Sequence, residues 1–122
     1  MTTLEVGRRL VELCREGKNH EAMTELYADD IVSVEAGAPP GGDATTKGMA
    51  GVLAKSQWWA DNHEVHAAKV DGPWPHGDRF IVHFNYDITL KASGNRVTMD
   101  EVGLYTVKDG KVAKEEFFYA MG

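Results

Sequence analysis

The side chains best suited to chemistry in this 122-residue chain are carboxylates and histidines in extended runs. Glu101 falls in the run Arg96–Lys108 and Glu115 in the run Lys111–Tyr119. Alternate residues of an extended chain share a face. Glu101 therefore goes with Val97, Met99, Gly103 and Tyr105, and Glu115 with Ala113, Phe117 and Tyr119. The opposite sets, Thr98-Asp100-Val102-Leu104-Thr106 and Val112-Lys114-Glu116-Phe118, are just as mixed, so alternation alone leaves the inward set open. An inward carboxylate is costly unless paired, hydrated or used, whereas an outward one is a cross-strand partner for Lys or Arg. Glu35 is a third carboxylate, closing the β-branched run Ile31–Glu35 just before Pro39-Pro40-Gly41-Gly42.

His63 and His66, in His-Glu-Val-His, resemble a shortened zinc motif. That motif needs histidines four apart on a helix, and these are three apart where helical period gives way to alternation. On a strand they point to opposite faces, so no metal site is expected. His66 alone is a candidate acid, base or donor, since its ordinary pKa is near neutrality. Cys14 shares a helical stripe with Leu10 and Leu13, and a buried thiol is inert. Gly72 and Gly77 have no helix start behind them to cradle a phosphate, so no ATP or dinucleotide cofactor is expected.

The elements that must hold these groups are legible from period and punctuation. Thr2 and Glu5 have capping-box spacing ahead of Val6, Leu10, Leu13 and Cys14, and Gly17 ends that helix. A second helix is predicted over His20–Tyr27, broken by Asp29 and Asp30, and a third over Lys47–Asn62. The period then becomes two. Strands are predicted over Glu64–Val70, Arg79–Ala92, Arg96–Lys108 and Lys111–Tyr119, with a long connection over Asp71–Asp78. Helices followed by long antiparallel strands predict an α+β fold in a single domain, 1–122. Thirteen Lys and Arg against nineteen Asp and Glu leave a net charge of −6, a poor match for nucleic acid or an anionic membrane. One cysteine permits no internal disulfide, and no apolar run suits a signal peptide or a span, so a cytoplasmic protein is expected.

The order of elements, Tyr27-Ala28-Asp29-Asp30, Gly48 near the third helix start and the ending Asp109-Gly110-Lys111-Val112 to Glu115-Glu116-Phe117-Phe118-Tyr119 together resemble the SnoaL-like branch of the nuclear-transport-factor-2-like superfamily. The resemblance spans nearly the whole chain. It implies a cone, in which a strongly curved, mostly antiparallel sheet wraps three helices and leaves a cavity at its wide end. It also implies a small apolar ligand and a homodimer through the outer sheet face, which carries His83, Asn85 and Asp87.

Members include isomerases, cyclases, dehydratases and non-catalytic binding or dimerisation modules, so the fold fixes a pocket and not a reaction. Ketosteroid isomerase, of the same superfamily, uses a carboxylate base, a tyrosine and a protonated aspartic acid. Here Glu35 falls near the base, but Leu10 and Gly103 fall near the two donors. The resemblance favours Glu101 and Glu115 as cavity groups. The expected acid–base set is thus Glu35, Glu101, Glu115 and His66, with Trp59, Phe84, Tyr86, Met99, Phe117 and Tyr119 as the apolar wall. Two functions stay open: a cofactor-independent acid–base enzyme on an apolar cyclic or carbonyl substrate, or a non-catalytic ligand-binding or dimerisation module.

Overall fold

A computed structural model describes residues 1–38 and 41–120; of the expected loop Pro39–Gly42, both prolines lie outside the described residues. Three helices, α1 (Thr3–Arg15), α2 (Asn19–Leu26) and α3 (Met49–Asn62), pack on one face of a curved, unclosed, six-stranded sheet. Its strands are β1 (Tyr27–Val34), β2 (Thr45–Lys47), β3 (His63–His76), β4 (Arg79–Leu90), β5 (Arg96–Lys108) and β6 (Lys111–Phe118), in the order β2-β1-β6-β5-β4-β3. Among the described residues only the β1–β6 pair is parallel. This is the α+β cone expected.

The capping box is formed: Glu5 N–H donates to Thr2 Oγ1 at 3.1 Å, and Thr2 N–H donates to Glu5 Oε1 at 2.9 Å. The orphan donors of the first turn of α1 are thereby satisfied. From there α1 sends Val6, Leu10, Val11 and Leu13 into the core, against a sheet face that carries Phe80 stacked on Tyr105 at 5.0 Å. α3 differs in kind. Val52 is its one fully buried residue, so the helix stands over the core's open end instead of plugging it.

Three boundaries depart from expectation. Tyr27-Ala28-Asp29-Asp30 does not end a helix but opens β1, because Tyr27 and Ile31 both turn into the core while Asp29 and Asp30 stay in water. The price is an irregular register against β6 between Tyr27 and Val32. Second, β3 runs on through Asp71-Gly72-Pro73 to His76, where a loop was expected. It is the edge strand, where a proline costs no ladder bond, and a register shift between Asp71 and Trp74 absorbs the turn residues. Third, β2 is three residues long, too short to show any period.

Gly48 links β2 to α3 at φ +87°, a left-handed conformation that suits glycine. Its N–H donates to Ile31 O at 2.7 Å and so ties the start of α3 to β1.

Candidate functional site

The register settles which faces of β5 and β6 point inward. Tyr105 of β5 stands opposite Phe80 of β4 and Glu115 of β6, and all three are buried. Period two then carries Glu101 and Met99 to the same inner face. The outer face takes Asp100, Val102 and Leu104, with His83 and Ile81 of β4 beside them.

Between this inner face and α3 lies a cavity of about 720 Å³, walled by Trp59, Phe84, Tyr86, Met99, Phe117 and Tyr119 among others. The helix contributes Val52, Lys55, Ser56 and Trp59, spaced as one stripe, so a single face of α3 forms the cavity's side. Glu35, Glu101 and Glu115 also reach the wall, and Asp43 stands at its rim. His66 does not. It is exposed on the outer side of β3, in a bulge of the β3–β4 ladder, where its Nε2 and Thr89 Oγ1 are 2.6 Å apart.

The three glutamates sit in different surroundings. Glu115 is 1% exposed and accepts from the Tyr27 hydroxyl and, at 2.6 Å, from Ser33 Oγ. Burial raises its pKa, and the two hydroxyl donors oppose the rise. Lys55 Nζ donates to Ser33 Oγ at 2.6 Å and to Glu35 Oε1 at 2.8 Å, while the Tyr119 hydroxyl donates to Glu35 Oε2 at 3.0 Å. One continuous network therefore runs from Tyr27 through Glu115, Ser33, Lys55 and Glu35 to Tyr119.

Glu101 stands outside that network and has no hydrogen-bond or ion-pair partner among the described residues. Burial first, then the charges of Glu35 and Glu115, push its pKa up to about 7, with Lys55 pulling the other way. Directly across the ladder is Phe84; Met99 and the side-chain-free Gly103 flank it on its own strand. Cys14, buried at the cavity wall, has its thiol pushed up to about 12 by burial, which leaves it no thiolate near neutrality.

Sequence reasoning missed Lys55, Ser33 and Tyr27. Lys55 had a usable signal, since it stands three residues after Val52 and four before Trp59 on the same stripe. Ser33 and Tyr27 had none, because their partner Glu115 is 82 and 88 residues away in the chain. Leu10 and Gly103, which the resemblance sets near the two donors of ketosteroid isomerase, are both buried and offer no side-chain hydrogen bond.

Three helices on a curved, unclosed sheet of this strand order form the nuclear-transport-factor-2-like fold. The profile of the SnoaL-like domain matches residues 1–119, and the chain belongs to that family. A solved protein from Mesorhizobium loti is 49% identical and covers 98% of this chain and 100% of its own, with a TM-score of 0.92. It is described as a proposed SnoaL-like polyketide cyclase, with carbohydrate phosphatase given beside that description. An NTF2-like protein from Burkholderia thailandensis (19% identity, 98% and 92% covered, TM-score 0.81) shares the fold. So does a proposed isomerase from Bacillus subtilis (17% identity, 98% and 90% covered, TM-score 0.79). No curated protein matches the chain.

Proposed function

We propose that the cavity is the active site of a cofactor-independent enzyme that moves a proton on an apolar, carbonyl-bearing substrate, with Glu101 as the base. The observation that carries this reading is Glu101 itself, an unpaired carboxylate on an apolar wall with its pKa pushed up to about 7. A group half ionised near neutrality both accepts and returns a proton. Glu101 takes the proton from the carbon beside the carbonyl, and the electron pair moves onto oxygen as an enolate. Lys55, held by Ser33 and Glu35 through two of its three N–H groups, is the fixed positive charge available to that oxygen. Return of the proton at another carbon gives isomerisation; attack of the enolate on a second carbonyl, with Glu101 giving its proton to the alkoxide so formed, gives cyclisation.

The charge balance favours this chemistry over phosphate transfer. Lys55 is the one cation on the cavity wall among the described residues, and Glu35 already pairs with it. Glu101, Glu115 and Asp43 add negative charge, so a phosphorylated sugar finds no cationic clamp. A second reading has its own support: the network from Tyr27 to Tyr119 is satisfied internally, as in a non-catalytic binding module.

Hydrogen–deuterium exchange at the carbon beside the carbonyl, followed by NMR over a panel of cyclic ketones and diketones, separates the two. Wild type is expected to accelerate exchange of at least one compound, and Glu101→Gln to lose about 10²–10⁴-fold of that rate. Equal exchange by both proteins, or none above buffer for a ketone that occupies the cavity, leaves the binding reading.

The proposal extends to a homodimer through the outer sheet face. Trp74, Ile81 and Phe118 are 54%, 40% and 53% exposed there, and the register sets Val102 and Leu104 between them. A cytoplasmic location is also part of it, supported by the single cysteine, Cys14, which is buried and unbridged.

A further inference from the structure

Glu101 has an environment that a general base does not require. On the inner face of the sheet Phe84 stands directly opposite it, Tyr86 is diagonal to it, and Phe117 lies beyond Gly103. Phe84 and Tyr86 stack at 6.0 Å between ring centroids, and Trp59 packs on Tyr86 at 5.6 Å. The Tyr105 ring covers Gly103, and the Phe117 ring opposite that glycine already faces the Lys55 ammonium, 5.8 Å from its centroid. The carboxylate thus stands beside the aromatic wall of the cavity, and a ring face attracts a cation.

The charges facing it from every neighbouring element have the same sign on balance. Glu35 at the end of β1 and Glu115 on β6 are negative, and Lys55 on α3 is positive but bound to Glu35. Tyr86 on β4, Tyr105 on β5 and Tyr119 after β6 all titrate above neutrality, so they contribute no charge near pH 7. The direction of the Glu101 shift reports the same thing, since a carboxyl is held protonated by burial and by negative neighbours.

We propose that this cavity binds apolar organic ammonium ions, the cationic nitrogen lying against the Glu101 carboxylate beside Phe84 and Tyr86, away from Lys55 and Phe117, and the apolar portion extending past Met99 toward Trp59. The inference rests on the reading of the cavity as a small-molecule site and adds a ligand class to it. A cation on Glu101 gains an ion pair in a desolvated setting and a ring face at once, and it relieves the repulsion from Glu35 and Glu115. It also converts protonated Glu101 to carboxylate, so binding near pH 7 releases a proton. A substrate ketone and an amine compete for the same carboxylate, which makes lipophilic amines inhibitors of the proposed reaction.

The test pairs two probes of the same shape, benzyltrimethylammonium and its uncharged isostere neopentylbenzene. Binding to the full chain is followed by tryptophan fluorescence, since Trp58 and Trp59 are on the cavity wall. At about pH 8.5 the cation is expected to bind about tenfold more tightly than the isostere. That advantage should fall away as pH drops below about 6, and should vanish in Glu101→Gln at every pH. Calorimetry in buffers of different ionisation heat should show proton release on cation binding to wild type near pH 7. Should Glu101→Gln fail to fold, the pH dependence and the proton release in wild type still decide the matter. Equal affinity for both probes overturns the ammonium inference and leaves the small-molecule site standing. Failure of both probes to bind overturns the two together.

Discussion

Glu101 and Glu115 are the same residue type on the same sheet face, yet they do different things. Both reach the cavity wall, but the two oxygens of Glu115 are taken by Tyr27 and Ser33, whereas Glu101 has no hydrogen-bond partner among the described residues. The consequence for stability can be signed. In the unfolded chain Glu101 titrates at its ordinary 4.5, and in the folded chain at about 7. Between those values the folded state holds a proton that the unfolded state releases, so stability falls as pH rises from the lower to the higher and then levels off. Glu101→Gln removes that loss. The variant is expected to match wild type near pH 4.5 and to exceed it above pH 7 by on the order of 1–3 kcal/mol, as read by urea unfolding at the two pH values. A stability difference that does not change with pH would show that Glu101 is ordinarily hydrated. No feature of the sequence distinguished the two glutamates, because their difference lies in what stands within a few ångströms of each carboxylate.

At the scale of elements, Glu115 acts as a clamp. Its two oxygens accept from Tyr27, where α2 passes into β1, and from Ser33, farther along β1, and so fasten β6 to β1 at two points. Ser33 in turn accepts from Lys55 and draws α3 to the same place. Glu115→Ala would leave the Tyr27 and Ser33 hydroxyls buried without an acceptor and is expected to cost about 2–4 kcal/mol in denaturant unfolding. Glu115→Gln retains one acceptor oxygen and should cost clearly less. Equal losses for the two variants would mean that the intact carboxylate, and not the volume that glutamine retains or its one acceptor oxygen, is what Glu115 supplies.

The clamp also explains why β1 begins early. Periodicity put a helix through Tyr27, but the ring and its hydroxyl are satisfied only by extending the chain toward Glu115. β4 was legible because Phe80, Val82, Phe84, Tyr86 and Ile88 repeat along it, and β5 and β6 because Ser93-Gly94-Asn95 and Asp109-Gly110 mark the turns that bound them. β2 and the outer half of β3 were not, since the first is too short and the second is an edge, exposed on both faces for much of its length.

For the whole molecule, the open question is what covers the outer sheet face. Trp74, Ile81 and Phe118 form the apolar part of that face, and the pairs His83–Asp100 and Arg96–Asp87 form its polar part. A second copy seated there would bury apolar surface and keep the polar pairs at the margin. Sedimentation at micromolar concentration is expected to give twice the chain mass of 13.4 kDa, and Phe118→Lys with Ile81→Lys to return the chain to monomer. A wild-type monomer in that experiment would remove the dimer and leave the cavity untouched, because the two lie on opposite faces of one sheet.

The division of labour between chain and fold follows from the range of the forces involved. Capping, helical stripes, strand alternation and hairpin turns act over a few residues, so the sequence by itself determined the helices, the long strands and the α+β class. With the resemblance added, it also pointed to the carboxylates and rings around the cavity. Tertiary structure alone decided that His66 points away, that Lys55 joins Glu35 and Ser33, and that Glu101 has no partner. Those facts depend on register between strands and on the tilt of α3 over the sheet, and pKa depends on desolvation, which exists only once the cavity has closed around the group.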